Sequence, residues 1–520
     1  MTRLLLILLL AASAQAATKY VSPTGDDSNS GNTSSLPFAT LAKALTDVAA
    51  GDTISLAAGT YTEEPTTSVN GTAASPITID GNNKGALIAG RLKVHHAYYH
   101  IVGIKFRKTN GVVAAKCPNG VDALGYKKLG GGGAGLHFKG PGANNNVVDN
   151  CDLSTGNPSI GFDFVDGETK SELTAGPHHN TVTNCEIYEG YGDGMIRMQG
   201  HDNTIGPGNL IRDSHGWDSV RPWGYNQTIT GNTFLRIIAH PCNHTDVMQL
   251  FNTSGAVPVK NLVFEKNKII DCTAQFFMTE GTTVNSATIT PDWGNWVIRN
   301  NIFLRSRIQC RLSAPDTSVY NNTIYDVPSG VAPIGFRFKQ KKGDRIIPNR
   351  GRCFNNLFVR TTALYSFNQS DSSHGNNLAT SRSDGAFPFS ASNKVVKGTN
   401  NISTAYTPSQ IFVAPSTDDV RLKTTPTVSP AIGAGINLSS GGAPAQFDWD
   451  YDGHARGDLW DIGAFDSNVT VATRSAVRTR VTVFESRRSL SHPLQREAFE
   501  DFAKELKKLA PERNPWEGKW

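Results

Sequence analysis

Between residues 191 and 249 the chain concentrates groups able to move protons or hold charge. Three short phrases recur there: Tyr191-Gly-Asp193-Gly, His215-Gly-Trp217-Asp218 and His244-Thr-Asp246. Three or four residues after each aspartate comes a polar residue between apolar ones: Ile196-Arg197-Met198, Val220-Arg221-Pro222 and Met248-Gln249-Leu250. The same bracket returns at Cys310-Arg311-Leu312 and Phe336-Arg337-Phe338. Strand side chains alternate between faces, so apolar brackets turned inward would send the five polar residues out from one face. Trp223 and Tyr225 follow directly. In a chain with only 18% charged residues, such a cluster asks for a chemical reason.

Arginine forks match carboxylates in a bidentate manner. A row of them suits an acidic polysaccharide such as a polyuronate, with Gln249, Arg311 and Arg337 as further contacts and the rings of Tyr191, Trp223 and Tyr225 stacking on sugars. Asp193, Asp218 and Asp246 would lie side by side, and Ca²⁺ is the ion their oxygens would hold. A cation or arginine that neutralises a uronate carboxyl acidifies the proton at C5. A base then removes it, and the enolate is stabilised electrostatically. Arg197, Arg221 and His244 are candidate bases; His244 and His215 are the easier ones, since imidazole titrates near neutrality. This is β-elimination. Two alternatives stand beside it: hydrolysis with Asp218 and Asp246 as acid and base, and a purely structural role for these residues in turns. No organic cofactor is expected, because nothing after the Gly130–Gly133 run makes a phosphate cradle.

What must position these groups is a repeat. Val-Val-Asp-Asn-Cys (147–151), Val-Thr-Asn-Cys (182–185), Ile-Thr-Gly-Asn (229–232), Phe-Glu-Lys-Asn (264–267), Val-Ile-Arg-Asn-Asn (297–301), Val-Tyr-Asn-Asn (319–322) and Cys-Phe-Asn-Asn (353–356) share one pattern. The asparagines recur every ~21 to 25 residues, or ~34 where a coil carries an insertion, which is one solenoid turn. Each copy is a strand, a polar turn and a second strand, and none can bury its apolar face without its neighbours. Stacked coils lie about 4.8 Å apart, so residues distant in sequence become neighbours along one wall. Cys151 and Cys185 fall at one stacked interior position. Most of the seven cysteines are read as buried small apolar residues, and no Cys-x-x-Cys or Cys/His spacing suggests zinc.

The ends frame this solenoid. Residues 1–16 have a positive start, a short apolar run and an Ala-x-Ala site, the pattern of a secretory signal peptide, so the protein is expected to be exported. The run is too short to span a bilayer. Phe38, Leu41, Leu45 and Val48 predict an amphipathic helix capping the first coil. Residues 17–466 form the solenoid domain, and 467–520 a basic extension with an amphipathic helix near Leu494–Leu509. A net charge of +5 is too small to argue for nucleic acid.

The order Tyr20-Val-Ser-Pro-x-Gly-x-Asp, short helix, Gly51-Asp-Thr-Ile, Gly59-Thr-Tyr resembles the opening of secreted right-handed parallel β-helix proteins, the pectin-lyase-like group. Ser429-Pro-Ala-Ile-Gly-Ala-Gly and Asp461-Ile-Gly-Ala-Phe resemble the closing coil of many bacterial members. The resemblance implies an all-β, right-handed parallel β-helix and a carbohydrate-active protein. Lyases of this fold use cations and Lys or Arg in the roles given above. A glycoside hydrolase, a uronate epimerase and a non-catalytic carbohydrate-binding adhesin are the other functions this architecture accommodates.

Overall fold

The computed structural model describes residues 16–107, 134–154, 158–165, 176–190, 194–214, 218–238, 245–250, 259–272, 274, 277–280, 294–306, 310–312, 316–327, 334–336, 350–361, 365–367, 373–382, 400–403, 405–426, 428–439, 448–456 and 460–467. Within them the chain winds through three parallel sheets. A first and a second sheet each contain 13 strands and a third contains 10. One coil shows the pattern: Val147–Asp149 lies in the first sheet, Asp152–Ser154 in the second and Ile160–Asp163 in the third. The next coil returns to the first sheet at Thr181–Thr183, one rung on from Val147–Asp149.

The repeated phrase has a physical basis in two adjacent positions. The first makes the corner between sheets one and two with left-handed backbone, φ between 50° and 56° at Asn150, Asn184, Asn300, Asn321, Asn355 and Asn376. Asparagine tolerates that conformation better than other residues with a Cβ. The second position points inward and stacks. Asn209, Asn232, Asn267, Asn301, Asn322, Asn356, Asn377 and Asn401 each pass an amide hydrogen bond to the next, at 2.9–3.3 Å. Each Nδ2 from Asn209 to Asn377 also reaches a backbone carbonyl, so the buried amides are satisfied. Cys185 and Cys151 extend this column: Cys185 N–H donates to Asn209 Oδ1 and Cys151 N–H to Cys185 Sγ. They share one stacked interior site, as the spacing predicts. Cys151, Cys185, Cys272 and Cys353 are buried free thiols.

Apolar side chains from the three sheets fill the axis, with Phe138 stacked on Phe162 at 4.9 Å and Phe277 edge-on to Phe264 and Phe303. The N-terminal helix spans only Leu41–Thr46, capped by Thr40, whose Oγ1 accepts from Lys43 N–H at 3.1 Å. Phe38 and Val48 lie outside the helix, yet both are buried with Leu41 and Leu45, so the cap covers the first coil with a shorter helix than the periodicity predicts. At the other end, Asp461–Phe465 packs on the corner asparagines, where Asn321 Nδ2 donates to Asp461 O. Asp450 accepts backbone N–H groups from His454 and Asp466 there, which gives the closing segment its carboxylates' purpose. Among the described residues no helix is long and apolar enough to cross a membrane. The signal-like residues 1–15 and the extension beyond 467 lie outside the described residues.

Candidate active site on the third sheet

The outer face of the third sheet carries a column fixed by backbone register. Lys93 lies opposite His137, His137 opposite Gly161, Gly161 opposite Arg197, and Arg197 opposite Arg221. Val220 pairs with Met248, which sets Gln249 on the following rung. Thr279 and Arg311 continue the column. The apolar brackets point inward as expected: Ile196, Met198, Val220, Met248 and Leu250 have no exposed surface. Arg311 pairs with Gly335, so a glycine holds the column position opposite Arg311.

Arg197 is partly exposed and holds the carboxylate of Asp163, one rung back, through Nε at 2.7 Å and Nη2 at 2.5 Å. His137 Nε2 meets the same carboxylate at 2.8 Å from the other side. Gly161 sits between the two on the column, and a Cβ added there would come within 3.5 Å of Asp163 Oδ2 and crowd Ala134 and Pro158. Gly161 is itself buried, while His137, Asp163 and Arg197 each keep a partly exposed side chain. Burial alone would raise the Asp163 pKa, but hydrogen bonds and charge from His137 and Arg197 outweigh it and hold the carboxyl below its ordinary range. The ionised Asp163 carboxylate accepts from His137 Nε2–H, which leaves Nδ1 as the ring nitrogen not committed to it. His95 adds a second imidazole nearby. Burial first, then the charges of His137, His96, Lys139 and Lys93, lower its pKa, so it is neutral at physiological pH.

The next rung is built differently. Arg221 is buried, with Nε donating to Asp218 Oδ2 at 2.6 Å and Nη2 to Gln249 Oε1 at 3.2 Å. Asp218 is fully buried, and its other oxygen accepts Asp246 N–H at 2.9 Å. Arg221 therefore supports the wall from beneath, which corrects its reading as a candidate base. Both oxygens of Asp218 are engaged, and a guanidinium already stands where Ca²⁺ was expected. The carboxylate does not fit a calcium ligand in this arrangement. Asp246 is fully buried as well. Trp223 and Tyr225 are 7% and 6% exposed and belong to the core, so neither ring offers a face to a sugar; the strand Gly224–Tyr225 turns them inward to pack. Tyr191, Asp193, His215, His244 and Arg337 lie outside the described residues, and Arg311 is placed only by its backbone register.

The sequence reading passed over His137 and Asp163. Leu136-His137-Phe138 has the same apolar bracket as Ile196-Arg197-Met198, and that signal was available. Asp163 had no local signal, because its importance comes from a partner 34 residues away.

Residues 19–221 match the family model described as the Pel9A-like, right-handed β-helix region. With the three parallel sheets, this makes the chain a right-handed parallel β-helix, the fold its sequence predicts. Among solved structures it is similar to the pectate lyase Pel9A, at 18% identity and a TM-score of 0.42 over 88% of this chain and 97% of that one. It is also similar to the PL6 family alginate lyase AlyGC, at 15% identity and a TM-score of 0.46 over 69% of this chain and 49% of that one. A lacto-N-biosidase from Eubacterium ramulus shares 14% identity and a TM-score of 0.37 over 74% of this chain and 68% of that one. No curated protein matches the sequence.

Proposed function

We propose that this protein is an exported enzyme that cleaves an acidic polysaccharide by β-elimination on the outer face of the third sheet. The observation that carries the reading is the His137–Asp163–Arg197 constellation, three rungs joined through one carboxylate with all three side chains partly exposed. It joins a neutralisable base to a permanent cation, the two groups such an elimination requires.

In this reading Arg197 faces the uronate carboxyl and spreads the charge that develops as the C5 proton leaves. The His137 lone pair takes that proton, with Asp163 as the positioning residue that stabilises the imidazolium. The C4–C5 double bond forms as the C4–O bond breaks, and the departing oxygen collects a proton. The lyase names among similar structures support the same class, as does the export expected from residues 1–16. Hydrolysis by Asp218 and Asp246 is disfavoured by their complete burial and by the ion pair that holds Asp218.

The test is a panel of pectate, alginate and chondroitin followed by ultraviolet absorbance and reducing-end release together. Elimination gives both signals in step, and His137→Gln lowers both by ~10²- to 10⁴-fold, the range for loss of a general base. Reducing ends without absorbance would replace the lyase with a hydrolase. Neither signal alongside retained binding would leave a carbohydrate-binding protein.

A further inference from the structure

At the corner between the third-sheet strands and the first sheet, three histidines converge. His178 and His179 belong to one coil, and His201 to the next, in register with His178. One nitrogen from each lies within 4.8 Å of the other two. His178 Nδ1 and His179 Nδ1 are 2.8 Å apart. His201 is 8% exposed, and its Nδ1 lies 2.6 Å from Asp202 Oδ2. Its Nε2 is buried and has no hydrogen-bond partner among the described residues.

From this geometry we propose a three-histidine site for a divalent transition-metal ion of the zinc class. The proton logic supports it. Asp202 accepts the Nδ1 proton of His201 and so leaves the lone pair on Nε2, buried and unused. A carboxylate behind a histidine is the arrangement that orients imidazole ligands on zinc. Asp202 is itself held, because Asn226 Nδ2 donates to its other oxygen at 3.0 Å. Two imidazole nitrogens on one tetrahedral zinc lie about 3.3 Å apart, given Zn–N of about 2.0–2.1 Å. The His178–His179 pair is already close to that spacing, and an ion would replace the single proton the two nitrogens share. The His178 ring stacks on His201 at 4.6 Å with 7° between planes, so closure on one ion requires a turn of the half-buried His178 ring.

A plain stacking role accounts for less. The rungs below and above carry Asn144-Asn145 and Tyr225-Asn226 at these two places, so the corner stacks without histidine. An Asn ladder satisfies every atom; the histidines leave one orphaned.

The test uses untagged full-length protein, stripped with chelator, with Zn²⁺ and then Co²⁺ as probes. Calorimetry is expected to show one ion per chain, and Co²⁺ is expected to give the absorption of a low-coordinate nitrogen site. His178→Asn and His179→Asn restore the residues of the preceding rung and so preserve the corner. With His201→Asn, each should weaken binding at least tenfold, and Asp202→Asn by ~10- to 100-fold, because Asp202 orients the His201 ring. Circular dichroism and melting temperature check that each variant is folded. Absence of stoichiometric binding to the wild type, or wild-type affinity in any folded histidine variant, would overturn the proposal. The site is independent of the third-sheet chemistry, so polysaccharide cleavage is expected to survive His179→Asn.

Discussion

Arg197 and Asp163 occupy neighbouring rungs of the third sheet, and the guanidinium closes on the carboxylate with two parallel hydrogen bonds of 2.7 and 2.5 Å. The pair is partly shielded from water, with side-chain exposures of 24% and 15%. A fork of this kind fixes Arg197 in one orientation before any substrate arrives, which is what electrostatic stabilisation of a developing charge demands.

That pair predicts a pH signature. A carboxyl whose folded pKa is depressed adds stability above its unfolded value of about 3.9 and loses it as pH falls through the folded value. Asp163→Asn is expected to cost ~1–3 kcal/mol at neutral pH. The difference from wild type should shrink below about pH 4, as both proteins come to carry a neutral group at 163. Thermal unfolding across a pH series measures it. A difference independent of pH would show that the carboxylate is not ionised by its partners.

Arg221 and Asp218 should behave as a buried pair. Arg221→Met strands the carboxylate of Asp218 and is expected to destabilise the fold by ~3–5 kcal/mol, whereas Asp218→Leu with Arg221→Met should recover most of that loss. Chemical denaturation of the two single variants and the double gives the coupling. Additive losses would contradict the pairing.

The asparagine column makes a third prediction. Asn301 accepts from Asn267 N–H and donates to Phe264 O and Asn322 Oδ1. Asn301→Ala orphans a buried donor and acceptor and should cost ~2–5 kcal/mol, with a large drop in melting temperature. The corner residue Asn150 is expected to tolerate Gly far better, since what it supplies is left-handed backbone. Equal losses at the two positions would erase the distinction between them.

The buried thiols should be inert. Burial pushes the Cys272 thiol up to about 12, and burial and the adjacent Cys151 thiol raise that of Cys185. Aromatic disulfide reagents at mildly alkaline pH are therefore expected to leave these four cysteines unmodified in the native state and to modify them on unfolding. Rapid native labelling of Cys151, Cys185, Cys272 or Cys353 would contradict their position in the stacked interior.

The solenoid was legible because its repeat encodes two physical demands at once, a left-handed corner and an inward amide. Arg197 was legible for the same reason: Ile196 and Met198 announce which way it points. Trp223 and Tyr225 do not serve as sugar platforms, although aromatic residues after a polar strand resemble them; only their burial in the coil shows that they face the core. Arg221 was misread because nothing local distinguishes an exposed arginine from one pinned beneath the wall by Asp218. Asp163 and the histidine corner were invisible, since both exist only where successive coils are brought into register.

The most direct test of elimination at this wall is the fate of solvent oxygen during cleavage of whichever polyuronate the protein accepts. Digestion in heavy-oxygen water followed by mass spectrometry should give oligosaccharides with an unsaturated non-reducing end and no solvent oxygen built in by the cleavage itself, and Arg197→Ala should abolish their formation. Saturated products that carry the heavy oxygen at the new end, or unchanged cleavage by Arg197→Ala, would contradict the account.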